Sequence, residues 1–151
     1  MMGMKIIRLT PEYCTEYKND IARFIHLSMN RGCKMEWFSM NEATKKADEL
    51  KRYIEENKAY AYLAMDEKAE GFVWAYPYGD ASSIYLSIIY VNETSRGKSV
   101  GKQLISELEN SAKADSFERI WLHTDADNMS SRNFYAHIGF REERIQLAKD
   151  I

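Results

Sequence analysis

The sequence contains little cysteine, and its charges almost cancel. Only two cysteines occur in 151 residues, Cys14 and Cys33, so neither a disulfide framework nor a cysteine-based metal site is expected. Two reduced thiols are typical of a cytoplasmic protein. Because the formal net charge is −2, the surface as a whole gives no indication of nucleic-acid binding.

Long apolar runs are also missing. None approaches the roughly 20 residues that cross a bilayer, and the first residues lack the apolar stretch of a signal peptide. We therefore expect no membrane association and a cytoplasmic location. Repeats, linkers and low-complexity tracts are absent too. Since 45% of the residues are hydrophobic, a single domain over residues 1–151 with one sizeable core is expected.

The hydrophobic patterns predict an α/β fold, of the α+β mixed-sheet kind. Thr10 and Pro11 give an N-cap followed by a proline at the first helical position. The periodicity predicts helices over residues 11–28, 41–56, 98–114 and 130–137, and strands over 5–9, 60–65, 71–76, 84–91, 118–124 and 140–148. The predicted order is β-α-α-β-β-β-α-β-α-β.

The most informative stretch covers residues 84–105. A strand rich in β-branched residues ends at Val91, and a basic, glycine-bearing loop then leads into a helix. Such a helix start presents free backbone N–H groups and binds phosphate. Gly97 and Gly101 allow the backbone to approach a ligand closely. This predicts a pyrophosphate site, and the basic side chains around it are Arg96, Lys98 and Lys102.

Two phosphate-binding motifs compete for this loop. A P-loop needs glycine where Asn92 stands, so a nucleotide hydrolase is the most distant alternative. Arg96-x-x-Ser99-x-Gly101 instead resembles the acyl-CoA signature (Gln/Arg)-x-x-Gly-x-(Gly/Ala) of the GNAT superfamily of N-acetyltransferases. Ser99 departs from that signature, which usually has glycine at its position. Val91 lies five residues before Arg96, as the strand-end valine of the family does.

A second motif, about thirty residues later, supports the same resemblance. The family pattern is Asn-x-x-Ala-x-x-(Phe/Leu)-Tyr-x-x-x-Gly-Phe, and serine replaces its alanine here. The residues at those spacings are Asn128, Ser131, Phe134, Tyr135, Gly139 and Phe140. The resemblance is strong over residues 84–140, whereas the N-terminal half matches only in the order of its elements.

The resemblance implies a GNAT-like fold in which the fourth and fifth strands splay apart around acyl-CoA. It also implies direct transfer of an acetyl group from acetyl-CoA to a primary amine of a small molecule or peptide in a ternary complex. No metal and no nucleic acid are implied, and a homodimer is in keeping with the family. The residues expected to bind the coenzyme are Ile89, Val91, Arg96, Gly97, Lys98, Ser99, Val100, Gly101, Lys102, Asn128, Ser131 and Tyr135.

Three expectations about individual positions follow from the resemblance. A side chain at Gly101 would meet the coenzyme. A backbone N–H near Val91, where this strand bulges in the family, would stabilise the oxyanion. Tyr135 aligns with the tyrosine that protonates the leaving thiolate in many relatives.

The base that removes the amine proton is left open. An amine with a pKa of about 10.4 is almost fully protonated at neutral pH, so a proton acceptor is needed. The carboxylate that some members carry on the fourth strand is missing from residues 84–91, where Tyr85, Ser87 and Tyr90 stand instead. The other candidates are Glu36, Asp80, His123 and Asp125.

Each feature also has a purely structural interpretation. The basic loop then only caps a helix, Asn128 is an N-cap, and Tyr135 is a core aromatic. The competing function is a non-catalytic acyl-CoA-binding or regulatory module, favoured by the missing carboxylate and by Ser99. The acceptor is expected to contact residues 35–39 and 76–80, where Glu36 and Asp80 would attract a polyamine-like or aminosugar amine. A peptide amine is the alternative acceptor.

Overall fold

The computed structural model describes residues 3–151. Their secondary structure follows the predicted order up to the last helix. The elements are β1 (Lys5–Arg8), α1 (Pro11–Glu16), α2 (Lys18–Met29), α3 (Met40–Glu55), β2 (Tyr60–Met65), β3 (Ala69–Pro77), β4 (Ser83–Val91), a short 3-10 helix (Glu93–Ser95), α4 (Val100–Ala114), β5 (Arg119–Trp121) and α5 (Met129–His137).

Side-chain caps fix where the first helices begin. The Thr10 hydroxyl accepts the N–H of Tyr13 at 3.1 Å, and the Ser39 hydroxyl accepts that of Glu42 at the same distance. Each bond satisfies a backbone donor that has no partner inside its helix. The continuous helix predicted over residues 11–28 is interrupted at Tyr17, whose φ and ψ are −103° and 21°. The helical bonds on either side of Tyr17 persist, so the interruption is a one-residue distortion that periodicity cannot detect.

The sheet has the order β1-β2-β3-β4-β5, antiparallel except for the last, parallel pair. Alternate residues of β3 face opposite sides. Phe72 and Trp74 pack with α1, α2 and α3, whereas Val73 and Ala75 pack with α4. The two faces of β3 are therefore covered by different helices. No helix within residues 3–151 combines the length and the apolar character needed to cross a membrane.

The parallel pairing of β4 with β5 is short. Only residues 83–85 of β4 pair with residues 119–121 of β5, and within the described chain no strand continues along that side of β4 as far as Val91. The predicted splaying of these two strands is thus present. It leaves residues 86–91, six of the nine residues of β4, with an unpaired backbone edge on that side.

A bulge occurs in this same part of β4. Trp74 pairs with Ile88 and Ala75 with Leu86, so Ser87 is the extra residue that has no opposite number on β3. The expected position of the bulge, near Val91, is therefore wrong by four residues. The bulge makes Ser87 exposed between two buried neighbours.

The end of the chain departs from the prediction. The strand predicted over residues 118–124 shrinks to Arg119–Trp121, and residues 140–151 form no strand. Ile145 and Leu147 are 79% and 89% exposed, so their alternation with charged residues is not matched by an apolar surface to cover them. Arg119 does bind Glu143 at 2.7 Å, which places this segment beside β5 through side chains only.

Candidate functional site

The unpaired edge of β4 lies above the start of α4. Ile89 and Val91 pack their side chains on the cluster built around Leu104 and Leu108 of α4. Tyr135 of α5 packs on the same cluster. Ile89 and Val91, Val100 at the end of the basic loop, and the candidate acid therefore all contact one hydrophobic cluster.

The loop between β4 and α4 contains two residues in the left-handed backbone region. Gly97 has φ +79°, and a Cβ built on it would meet no atom within 4 Å, so the space beside it is open. Ser99 has φ 62° and ψ 21°, and its hydroxyl makes no capping bond to α4. Since a side chain in this conformation costs roughly 1–2 kcal/mol, the geometry explains why glycine suits this position.

A buried carboxylate holds the first part of the loop between β4 and α4 in place. Glu70, 7% exposed, accepts the Ser95 hydroxyl at 2.5 Å and the Asn92 side-chain amide at 3.2 Å. Arg23 of α2 donates to the other side of that amide at 3.2 Å. The bond from Ser95 is the main reason that the pKa of Glu70 is lowered, with a smaller contribution from Lys98. No local sequence signal identifies Glu70, because its partners lie over twenty residues away.

Some of the remaining loop residues are bonded within the protein, whereas others are free to contact a ligand. Arg96 donates from Nε to the carbonyl of Val91 at 3.1 Å and lies 5.5 Å from the centre of the Tyr90 ring, so it closes the loop onto β4. Val100 is 2% exposed and offers only its backbone. Lys98 and Lys102 are exposed, which leaves their charges free to meet an anion.

Gly101 provides a close approach between two helices. A Cβ on it would lie 3.1 Å from Cζ of Phe134, and its three nearest atoms all belong to that ring. The side chain expected to meet the coenzyme would thus first meet α5. Because Phe134 contacts Tyr135, with ring centres 5.3 Å apart, a substitution at Gly101 also disturbs the candidate acid.

In α5, Asn128 caps the helix and Tyr135 carries a phenol that can donate a proton. Asn128 accepts the N–H of Ser131 at 3.2 Å, which is the N-cap arrangement. Tyr135 is half-buried beside Phe134 and Phe140. Burial raises the pKa of Tyr135, and the charge of Arg31 opposes this only partly. Its phenol therefore stays protonated at neutral pH and retains a proton to donate.

A cavity of about 480 Å³ opens on the opposite face of the sheet, against α2 and α3. The bulge residue Ser87 is on its wall, and so is Trp74, which is 5% exposed. Nε1 of Trp74 has no hydrogen-bond partner among residues 3–151, an arrangement that costs about 1–3 kcal/mol. The full lining is Ile25, Met29, Lys46, Glu49, Tyr53, Lys58, Trp74, Tyr76, Pro77, Ser87 and Ile88.

The cavity matches the expected acceptor contacts only in part. Tyr76 and Pro77 line it, but no residue of segment 35–39 does. The two carboxylates expected to attract a cation are engaged elsewhere. Glu36 binds Nε2 of His26 at 3.0 Å. Asp80 accepts the hydroxyls of Ser82 and Ser83, and these bonds lower its pKa.

An aromatic cluster adjoins the cavity where β4 and β5 separate. It consists of Tyr76, Tyr78, Tyr85, Trp121 and His123. The Tyr85 hydroxyl lies 3.2 Å from Nδ1 of His123. Burial, together with the neighbouring Tyr76 and Tyr78, raises the pKa of Tyr85. The structure therefore pairs two of the residues considered as proton acceptors, whereas Asp125 lies in the exposed turn before α5.

Comparison with known sequences identifies acetyltransferases as relatives. A sequence model of the acetyltransferase (GNAT) family matches residues 14–140. The chain is 27% identical over 92 residues to the uncharacterized N-acetyltransferase YycN of Bacillus subtilis (strain 168). That match covers 59% of each protein, so the aligned part of the chain spans about three fifths of the relative's length.

Solved structures share the fold over almost the whole chain. One is the aminoglycoside N-acetyltransferase AAC(6')-Iy in complex with CoA, with a TM-score of 0.76 and 19% identity over 99% of this chain and 96% of that chain. Another is the ribosomal-protein-alanine N-acetyltransferase of Brucella melitensis biovar Abortus 2308, with a TM-score of 0.69, 19% identity and 99% of both chains covered. At these identities the likeness shows the fold alone.

The backbone conformation of Ser99 generates a prediction. Replacing Ser99 with glycine removes the side chain from a left-handed position but adds freedom to the unfolded chain. We expect the free energy of unfolding to stay level or rise by up to about 1 kcal/mol, and acetyl-CoA affinity to be kept or improved. Chemical denaturation and calorimetric titration measure the two quantities.

Ser116 provides the matched control, since it has φ 68° at the other end of α4. Ser116→Gly should change stability similarly without changing affinity for acetyl-CoA. A loss of affinity in Ser99→Gly that Ser99→Ala shares would show instead that the serine hydroxyl is a ligand.

Proposed function

The chain belongs to the acetyltransferase (GNAT) family, and on that premise we propose that it transfers an acetyl group from acetyl-CoA to a primary amine in a ternary complex. The unpaired edge of β4 carries this proposal. It faces the basic loop and Tyr135 on one side of the sheet, while the cavity reaches the bulge at Ser87 from the other. A thioester lying along the edge is then open to an amine in the cavity. We propose that residues 1–151 act as one such domain.

The coenzyme would be held largely by backbone groups. Amides of its pantetheine arm would bond to Ile89 and Val91 as an added strand does. Its pyrophosphate would accept N–H groups at the start of α4, with Lys98 and Lys102 supplying charge. The other coenzyme-binding positions in this proposal are Arg96, Gly97, Ser99, Val100, Gly101, Asn128, Ser131 and Tyr135.

Acetyl transfer forms a C–N bond and breaks the C–S bond of the thioester. The developing oxyanion needs a preorganised donor, and we assign it to backbone N–H groups between Ser87 and Val91, on the unpaired side of β4. The departing thiolate needs a proton. We assign the donation of this proton to Tyr135, whose raised pKa keeps the phenol protonated at neutral pH.

Removal of the Tyr135 hydroxyl tests the proposed acid. Tyr135→Phe keeps the ring against Phe134 and Phe140, so acetyl-CoA affinity should change little. Turnover should fall by about 10²- to 10⁴-fold, the usual contribution of positioned acid–base catalysis. Thiol release during steady-state acetylation gives the turnover, and calorimetry gives the affinity. Turnover within about threefold of the wild type, with chemistry rate-limiting, would make Tyr135 a packing residue.

We further propose that Tyr85 and His123 replace the carboxylate missing from β4. The ammonium proton would pass to the Tyr85 oxygen while the Tyr85 proton passes to Nδ1 of His123. The neutral amine then attacks the thioester carbonyl. The titratable neighbours of this pair are the phenols of Tyr76 and Tyr78.

The pH profile distinguishes this relay from a structural contact. With the relay, the enzyme itself accepts the ammonium proton, so kcat/KM should level off well below the pKa of the amine. In Tyr85→Phe and His123→Gln it should instead keep rising up to the amine's own pKa. Identical profiles for the wild type and both variants would show that the pair has no role in proton removal.

Non-catalytic acyl-CoA binding is the second candidate. The missing carboxylate on β4 and the serine at position 99 favour it. It predicts tight CoA binding without thiol release for any amine offered, whereas the acetyltransferase proposal requires release with at least one.

A further inference from the structure

Glu70 is bonded to the loop that is proposed to hold the pyrophosphate of the coenzyme. We propose that Glu70 is a positioning residue for coenzyme binding, because it holds Asn92 and Ser95 and thereby fixes the conformation in which the loop reaches α4. The inference rests on the proposed function for the identity of the coenzyme. Its test measures binding and does not depend on acetyl transfer.

A buried carboxylate at this place needs an explanation. Among residues 3–151, Glu70 is the only Asp, Glu, Lys, Arg or His residue that is buried. A buried charge is costly unless it is paired or hydrogen-bonded, and a negative charge close to a loop that binds an anion also opposes that anion. An apolar residue would fill this space without either cost, so the contacts of Glu70 indicate what it contributes.

The carboxylate fixes both ends of the turn formed by residues 92–95. Its Oε2 atom accepts the side-chain amide of Asn92 at 3.2 Å and the hydroxyl of Ser95 at 2.5 Å. The backbone N–H of Asn92 donates to the carbonyl of Glu70 at 2.8 Å, and its side-chain amide also donates to the carbonyl of Ala69 at 3.2 Å. The N–H of Ser95 closes the turn on the carbonyl of Asn92 at 2.9 Å. The start of β3 therefore holds the first part of the loop through backbone and side chains together.

The neighbouring groups favour the ionised form of Glu70. Arg23 of α2 donates to Oδ1 of Asn92 at 3.2 Å, which leaves the amide nitrogen of Asn92 directed at Glu70. The bond from Ser95 is the main cause that lowers the pKa of Glu70, with smaller contributions from Asn92 and Lys98. The side chain is therefore ionised at neutral pH. Because an ionised carboxylate accepts stronger hydrogen bonds than a neutral amide, the strength of both contacts depends on its charge.

The turn leads directly into the part of the loop that surrounds the proposed pyrophosphate site. Gly97 and Ser99 follow Ser95 by two and four residues, and both have a positive φ. Glycine adopts many backbone conformations, so the orientation of the N–H groups at the start of α4 depends on where Ser95 is held. A site whose donors are already oriented avoids the entropic cost of ordering them around the ligand. Loss of the bond between Glu70 and Ser95 should therefore weaken CoA binding.

Two conservative variants remove this contact from opposite sides. Ser95→Ala removes the hydroxyl, and Glu70→Gln keeps the size of the side chain but removes its charge. We expect each to weaken CoA binding about tenfold in calorimetric titration, as for the loss of one hydrogen bond to a charged group. The double variant should lose little more affinity than either single variant, because both substitutions remove the same interaction.

Ser111→Ala is the matched control. The Ser111 hydroxyl is bonded to that of Tyr62, so it joins α4 to β2 as Ser95 joins the loop to β3. The control should lower the free energy of unfolding, measured by chemical denaturation, as Ser95→Ala does, but should leave CoA affinity unchanged. With an amine substrate, Ser95→Ala should raise the KM for acetyl-CoA and keep kcat within about twofold of the wild type.

The inference and the proposed function fail separately. CoA affinity within about twofold of the wild type in both Ser95→Ala and Glu70→Gln would overturn the inference, and Ser95→Ala alone decides this if the other variant does not fold. An equal loss of affinity in Ser111→Ala would also overturn it, because the effect would then follow from stability alone. Either result leaves the proposed transfer standing if the wild type binds CoA and releases thiol with an amine. A wild type that binds no CoA would contradict the proposed function, and the inference with it.

Discussion

The structure depends on the early separation of β4 from β5. A strand needs partners for its backbone N–H and C=O groups, yet β4 is paired on that side only as far as Tyr85. At the last pair, the ring centres of Tyr85 and Trp121 lie 4.6 Å apart, and beyond this pair the strands diverge. The rest of β4 therefore combines a fixed position in a buried sheet with an edge that a ligand can reach.

Contacts from several elements fix the residues around this edge. Glu70 fixes the loop from the start of β3, and Arg96 ties the same loop to the end of β4. Gly101 lets α5 approach α4, and Phe134 and Tyr135 pack on the same cluster as Ile89 and Val91. The bulge at Ser87 then opens β4 to the cavity on the opposite face. In the proposed function, the coenzyme lies along the edge of this strand and the acceptor approaches it from the cavity.

Local sequence patterns predicted the parts of this arrangement that depend on local interactions. The cap at Thr10 and the strand, loop and helix around Arg96 follow from neighbouring residues. The bulge at Ser87, the pairing of Glu70 with Ser95 and the unpartnered indole of Trp74 depend on contacts between distant segments, which no periodicity contains. The strand predicted over residues 140–148 was wrong for the same reason, because alternation alone supplies no neighbouring strand.

Amide hydrogen exchange with and without CoA tests the central claim that the coenzyme occupies the unpaired edge of β4. The account predicts slower exchange at Ile89 and Val91 and at residues 97–102. Amides of β2, which lies between β1 and β3 in the sheet, serve as the reference for any general stabilisation. Protection at the start of α4 without protection of β4, or protection spread equally over β2, would contradict it.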